Sequence, residues 1–185
     1  DLTIAELDVS GIDTSSAVEP EFEVEHIKML KAADGRPVPG PSVWTARLTP
    51  ETAKPGDTVT VSVTARMDEG YHTFALDQNR KNLGLPTVLA VTHLFGLEDD
   101  GSQFQPDHEV EIHEIDTVEQ RIHHGEVTWS RTFVVSDGAS VYGAGLKVTN
   151  QVCDANRCIR GSFVAMLGIV PPGSETAAGE AGGGD

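Results

Sequence analysis

The sequence predicts an all-β protein, built as an antiparallel sandwich or barrel. Apolar and polar residues alternate with a period of two along much of the chain, which places alternate side chains on opposite faces of strands. Short strands of this kind are separated by turn-forming residues at regular intervals. No segment combines a sustained 3.6-residue period with a helix cap. A chain of 185 residues is long enough for one domain with a full core.

Two strands are predicted most clearly. In the first, Val59, Val61 and Val63 alternate with threonine and serine, and in the second, Val127 and Trp129 alternate with polar residues. Shorter β-branched runs predict further strands, at residues 43–48, 71–76, 87–93, 110–115, 141–149 and 162–170. Turn signals lie between them, at residues 54–57, 68–70, 99–101 and 136–138.

The ends of the chain predict a three-part organisation. Residues 1–41 are expected to form an N-terminal extension with an edge strand near 21–30 and a Pro/Gly loop at 34–41. The sandwich domain is assigned to residues 42–170. The segment 171–185, rich in Gly, Ala and Glu, is expected to be a flexible tail or linker. The start of the chain carries no secretory leader pattern, so a leader removed before Asp1 is the expectation for an exported protein.

Charge narrows the classes of partner. The chain has 13 Lys+Arg against 29 Asp+Glu, a formal net charge of −16. Phosphate backbones and anionic lipid surfaces require clustered Lys and Arg, which this sequence lacks. Nucleic acid and anionic membranes are therefore not expected as partners. Nucleophile-elbow, phosphate-loop and calcium-loop motifs are also missing from the sequence.

The strongest chemical signal is the pair Cys153 and Cys158, separated by four residues. The spacing fits neither a four-ligand zinc site nor the C-x-x-C of a thioredoxin helix. A disulfide across a tight turn is plausible, and closing so short a loop stabilises a fold by only roughly 2 kcal/mol. This small gain favours a redox-active pair. A structural hairpin disulfide and two free thiols remain the alternatives.

Three stretches of sequence resemble a known family. They are Thr49-Pro50 with Lys54-Pro55-Gly56-Asp57, then Gly70-Tyr71-His72-Thr73-Phe74, and finally Gln151-x-Cys153-x4-Cys158. In this order and spacing they are similar to the N-terminal periplasmic domain of the thiol:disulfide interchange protein DsbD. The likeness covers about residues 43–170. The sequence departs from the family pattern at Asn150, where the family has Tyr, and after Cys158, where the family has a Pro.

The resemblance implies an immunoglobulin-like β-sandwich that exchanges thiols and disulfides outside the cytoplasm. It implies a domain of a protein-disulfide reductase system, of the kind that also serves cytochrome c biogenesis. The expected partners are a thioredoxin-like module and oxidised periplasmic proteins, and the parent protein is expected to be membrane-tethered. By the same resemblance, Cys158 forms the mixed disulfide and Cys153 resolves it. No dissociable cofactor is implied, because the disulfide itself is the redox group. The rival interpretation is a non-catalytic interaction domain whose disulfide only fixes a hairpin.

The residues that flank the cysteines are predicted to change how readily each thiol ionises. Arg157 beside Cys158 favours its thiolate, and Asp154 beside Cys153 opposes that of Cys153. Gln151 completes the flanking set of candidate binding residues. No aromatic residue that could shield the pair is found at residues 114–119.

The seven histidines are expected to be strand residues rather than metal ligands. His123 and His124 are adjacent and therefore point to opposite faces of a strand, so that they cannot easily share one ion. His113 and His123 could meet across a hairpin, but nothing in the sequence demands it. His72 is expected to be a structural histidine, and no metal site is predicted.

Overall fold

The computed structural model describes residues 22–82, 84–115 and 117–168. Within these ranges the chain forms twelve β-strands and no helix. The strands are β1 (Glu23–Lys31), β2 (Pro37–Thr49), β3 (Thr58–Met67), β4 (His72–Phe74), β5 (Val88–Phe95), β6 (Leu97–Glu98), β7 (Gln105–Pro106), β8 (Glu111–Ile115), β9 (Val118–His124), β10 (Glu126–Val135), β11 (Gly143–Cys153) and β12 (Cys158–Leu167).

The strands form two antiparallel sheets that pack face to face as an immunoglobulin-like sandwich, which confirms the predicted fold class. The first sheet has the order β1-β2-β3-β10-β6, with β7 also paired to β10. The second sheet has the order β12-β11-β4-β9-β8, with β5 paired to β11. Strand β11 is long enough to pair with β5 along its first part and with β4 at its end.

The core lies between the sheets and follows the period-two pattern. Val59, Val61 and Val63 of β3 are all fully buried. Trp44 and Trp129 stack in the centre, with ring centroids 5.9 Å apart. Because these alternating side chains fill the space between the sheets, the intervening residues of the same strands face outwards.

The prolines near residue 40 lie in a strand rather than in the expected loop. Strand β2 begins at Pro37, and its first residues pair with β1, for example Pro37 with Lys31. The pairing of β2 with β3 starts only at Ser42. Residues 37–41 therefore have a neighbouring strand on one side only, where the missing N–H of proline is tolerated. Strand β1 forms the edge of this sheet, as the sequence predicted.

Strand β9 was not predicted, whereas the turns were. The core side of β9 carries Arg121 and His123, and its other side carries the buried Gln120, so that polar residues obscure the alternation. The predicted turns at 54–57, 68–70, 99–101 and 136–138 all lie outside the strands. In the first of them, Gly56 adopts a φ of 86°, a conformation that favours glycine.

Residues 1–21 and 169–185 lie outside the described ranges, and with them the proposed boundary at residue 170. The division of the chain at residues 42 and 170 stays a prediction. The described residues include no helix with the length and apolar character needed to cross a membrane.

Candidate functional site: the disulfide at the end of the β11–β12 hairpin

The two cysteines lie opposite each other at the last pair of the β11–β12 hairpin. They form a disulfide, with a Cα–Cα distance of 4.1 Å, so the predicted bridge across a turn is confirmed. Their environments differ: Cys153 is 2% exposed, whereas Cys158 is exposed. An external sulfur nucleophile or disulfide can therefore reach Cys158 far more readily than Cys153.

The loop between the cysteines is held by the side chain of Asp154. Its Oδ1 accepts hydrogen bonds from the backbone N–H groups of Asn156, at 2.7 Å, and Arg157, at 2.8 Å. A backbone hydrogen bond from Asp154 to the carbonyl of Arg157, at 3.0 Å, closes the turn. The two N–H donors lower the pKa of Asp154 because they stabilise its carboxylate.

The Arg157 side chain extends towards Tyr71. Its Nη2 donates a hydrogen bond to the Tyr71 hydroxyl at 2.9 Å, and its Nε lies 3.5 Å from the Asp154 carboxylate. The hydrogen bond with Tyr71 is the main reason that the pKa of Arg157 is raised. These contacts anchor the turn to the start of β4, so Arg157 positions the loop that carries Cys158.

Cys153 is covered by an aromatic ring that the sequence analysis missed. Phe74 and Ile122 form a small buried cluster with Cys153, separate from the main core. Phe74 ends β4 and pairs with Ile122 of β9. The sequence shows no shielding aromatic residue at 114–119, and Phe74 comes from the Gly70–Phe74 stretch instead. Only the strand order places it beside the disulfide, because β4 lies between β11 and β9.

A cover segment, defined as residues 75–82 and 84–87, lies between β4 and β5 in the chain and is tied to this face of the sheet. Gln151 connects it to the disulfide: its Oε1 accepts a hydrogen bond from the Leu85 N–H at 3.0 Å, and its Nε2 lies 3.6 Å from Cys153 Sγ. Gln78 adds a bond from its Nε2 to Gln120 Oε1, at 2.9 Å. The predicted site residue Gln151 is thus buried between the cover segment and the inner sulfur.

Gly84 allows the cover segment to approach Phe74 closely. A Cβ atom at Gly84 would lie 1.9 Å from an atom of the Phe74 ring. Since real side-chain contacts are never this short, only glycine lets the backbone lie against the ring. The ring that covers Cys153 is itself enclosed by this backbone.

Three histidines share the outer face of the second sheet with the disulfide. His72 of β4 lies directly opposite Cys153 of β11 and also directly opposite His124 of β9. The rings of His72 and His124 have centroids 5.5 Å apart, and those of His113 and His124 are 5.9 Å apart. Burial lowers the pKa of His72, and the imidazoles of His124 and His113 lower it further. We call the side chains of Cys158, Cys153, His72 and His124 the outer row.

His123 points to the opposite face of β9 from His124, as its position next to His124 predicted. It is 1% exposed, which differs from the expected solvated histidine, and its ring packs edge-on against Trp129. Its Nδ1 lies 3.2 Å from His108 Nε2. Burial lowers the pKa of His123, and the nearby His108 lowers it further. His113 does not meet His123, because it pairs with Gln120 in the hairpin.

A cleft of about 1090 Å³ opens beside His123, between the cover segment and residues 103–110. It is lined by His108, Arg121 and Trp129 among others, and neither cysteine borders it. The disulfide therefore lies outside this cleft, at the end of the β11–β12 hairpin.

The structure thus brings together all five residues named from the sequence, which are Gln151, Cys153, Asp154, Arg157 and Cys158. It adds Tyr71, Phe74 and the cover segment. Both residues belong to the Gly70–Phe74 stretch that carries the family resemblance. The contacts of Tyr71 with Arg157 and of Phe74 with Cys153 depend on strand order, for which the sequence has no local signal.

No sequence profile of a known protein family matches this chain, and no curated protein matches it. Solved structures do resemble it, among them the following two. The N-terminal periplasmic domain of ScsB from Proteus mirabilis aligns with a TM-score of 0.50 and 13% identity, over 80% of this chain and 51% of that one. The reduced N-terminal domain of DsbD from Neisseria meningitidis aligns with a TM-score of 0.34 and 18% identity, over 63% of this chain and 80% of that one. The chain spans about half the length of the ScsB domain. The described residues therefore share the fold of the ScsB domain, an antiparallel β-sandwich.

Proposed function

We propose that this chain is an extracytoplasmic thiol–disulfide exchange domain that acts through Cys153 and Cys158. The observation that carries the proposal is the unequal exposure of the two cysteines at the end of a paired hairpin. A loop on a fixed scaffold is accessible and still positioned, which suits docking to a second protein. The fold shared with a periplasmic domain supports the location outside the cytoplasm.

The exchange proceeds in two balanced steps. In the dithiol form, the Cys158 thiolate attacks a sulfur of the partner's disulfide, which forms a Cys158–partner bond and releases the partner's other sulfur as a thiolate. The Cys153 thiolate then attacks Cys158 Sγ, which restores the intramolecular bridge and expels the second partner thiolate. The partner gains two electrons and the cysteine pair loses two. A thioredoxin-like dithiol then reduces the Cys153–Cys158 disulfide by the same two steps in reverse and restores the dithiol form.

The surroundings of Cys153 suit the resolving role. Phe74 and Ile122 keep external thiols away from it, whereas Cys158 is directly opposite and within bonding distance. Gln151 Nε2 lies within hydrogen-bond reach of Cys153 Sγ and stabilises a thiolate there. A buried resolving thiol reacts with its own mixed disulfide faster than with a competing external disulfide, because only the former is adjacent.

The reduction potential of the pair tests the proposal first. The oxidised chain is equilibrated in a glutathione or dithiothreitol redox series and the thiols are trapped at each step. We expect a reversible two-electron transition at a reduction potential above about −300 mV. Structural disulfides typically have potentials below this value. A bridge that is reduced only under unfolding conditions contradicts the proposal and favours the interaction-domain interpretation, in which the disulfide only fixes the hairpin.

The roles of the two cysteines are tested with single variants and glutathione disulfide as the probe. Cys153→Ser leaves Cys158 exposed without its resolving thiol, so we expect a stable mixed disulfide with glutathione, detected by mass. Cys158→Ser leaves only the covered Cys153, and we expect it to react at least about tenfold more slowly. Equal rates for the two variants would show that exposure does not assign the roles.

A further inference from the structure

A second chemical cluster lies on the β8–β9 hairpin, at the far end of the outer row. One carboxylate oxygen of Glu111 and one ring nitrogen each of His113 and His124 lie within 4.8 Å of one another. Glu111 lies opposite Ile122 and His113 opposite Gln120, so both side chains share the outward face of His124. Paired strands hold the three backbones at fixed positions.

The distances suit a metal ion after small side-chain rotations. Around a tetrahedral ion with bonds of about 2.1 Å, ligand atoms lie roughly 3.4 Å apart. His113 Nε2 and Glu111 Oε2 are already 3.5 Å apart. The ligand atom on His124 lies within 4.8 Å of both, so each of these separations has to shorten by about 1.4 Å at most. Because Glu111 and His113 are about half exposed, these rotations meet little packing resistance.

The donor set selects the class of metal. Two imidazole nitrogens and one carboxylate oxygen suit a borderline divalent ion such as Zn²⁺, and sites with three protein ligands keep a fourth position for water or another ligand. Ca²⁺ and Mg²⁺ prefer all-oxygen sites and are disfavoured. The net charge of −16 favours cation association with this surface.

We propose that Glu111, His113 and His124 form a binding site for a divalent transition-metal ion of the Zn²⁺ class, with one open coordination position. The site contains no cysteine and is complete in the oxidised chain. It therefore does not depend on the proposed redox function, and either can fail without the other.

The experiment is a Zn²⁺ titration of the untagged, oxidised chain, in competition with a chromophoric chelator. We expect one equivalent of Zn²⁺ to bind. Glu111→Gln, His113→Asn and His124→Asn should each weaken the affinity by about tenfold or more, since even residues that only orient metal ligands change affinity by this amount. His93→Asn, which removes an exposed histidine on β5, is the matched control and should leave the affinity unchanged.

Imidazole resonances provide a readout that does not depend on variants. In the NMR spectrum of the unmodified chain, Zn²⁺ should shift the ring signals of His113 and His124 and leave those of His26 and His93 in place. The proposal is overturned if the three variants bind as tightly as the unmodified chain. It is equally overturned if Zn²⁺ binds only after reduction and the Cys153→Ser, Cys158→Ser double variant abolishes binding, because the thiolates are then the ligands.

Discussion

Asp154 shows how one side chain determines the shape of the loop that carries the reactive sulfur. Its carboxylate accepts two backbone hydrogen bonds from within its own turn, and its pKa lies below the ordinary value of 3.8 for this reason. A carboxylate with a lowered pKa in the folded state stabilises that state above its unfolded pKa. This contribution is lost as the pH falls through the lower, folded pKa.

An NMR titration of the backbone amides of Asn156 and Arg157 tests this contribution. We expect both signals to shift at a midpoint below pH 3.8, since their hydrogen bonds to Asp154 weaken on protonation. Asp154→Asn keeps an acceptor oxygen at the same place but has no proton to gain, and should remove the inflection. An inflection at or above pH 3.8 in the unmodified chain would contradict a stabilising role for the ionised carboxylate.

At the scale of elements, the cover segment and β4 jointly control access to the inner sulfur. The Phe74 ring is placed between Cys153 and the backbone at Gly84, while Gln151 ties the segment to β11. Any change that lifts the segment therefore exposes Phe74 first and Cys153 next. The cover segment thus acts on the disulfide through packing rather than through charge.

Gly84→Ala tests this arrangement. The added methyl group would overlap the Phe74 ring, so we expect the free energy of unfolding to fall by about 1–3 kcal/mol. Urea unfolding measures that loss, and dithiothreitol should reduce the disulfide faster than in the unmodified chain. Arg80→Ala, an exposed change in the same segment, is the control and should alter neither quantity.

A double variant separates a local clash from general damage. Phe74→Leu removes the ring atoms that the methyl group would meet. The combination of Gly84→Ala with Phe74→Leu should therefore lower the free energy of unfolding by less than the sum of the two single losses. Strict additivity would mean that the two residues do not interact.

At the scale of the whole molecule, the disulfide lies outside the main core. The large cluster between the sheets, which includes Trp44, Trp129 and Leu146, does not contain Cys153. Cys153 belongs to the smaller cluster on the outer face of the second sheet. Reduction therefore removes a short covalent loop and leaves the packing between the sheets intact.

We accordingly expect the reduced chain to stay folded. Its free energy of unfolding should be lower than that of the oxidised chain by roughly 2 kcal/mol, the value for so short a loop. Urea titrations followed by tryptophan fluorescence measure the difference, because both tryptophans of the chain are buried in the folded state. A reduced chain without a cooperative transition would rule out a shuttle that must work in both redox states.

Local patterns in the sequence predict the all-β fold class, and they make a disulfide across a tight turn plausible without excluding two free thiols. Strands β3 and β10 alternate cleanly because one face of each is buried against the other sheet. Residues 37–41 were predicted as a loop, because the sequence alone does not show that β2 extends beyond β3 and leaves its prolines beside a single neighbour. Strand β9 escaped detection because buried polar residues such as Gln120 and His123 break the apolar alternation.

The surroundings of the disulfide were less predictable, because they depend on strand order and register. His72 and His124 are far apart in sequence and face each other only because β4 pairs with β9. A shift of one residue in that pairing would place His123 rather than His124 on the outer face. The shielding by Phe74 has the same origin.

The length of the outer row also determines whether one docked protein can cover both the disulfide and the β8–β9 hairpin. From Cys158 on β12 to His124 on β9 the row crosses four strands, a distance of about 14 Å at the usual spacing between strands. A protein partner of ordinary size covers roughly 800 Å², a patch about 30 Å across. A partner centred on Cys158 thus reaches towards the β8–β9 hairpin, and one displaced by a few ångströms covers it. Occupancy of that hairpin by a ligand and docking at the disulfide would then compete for the same surface.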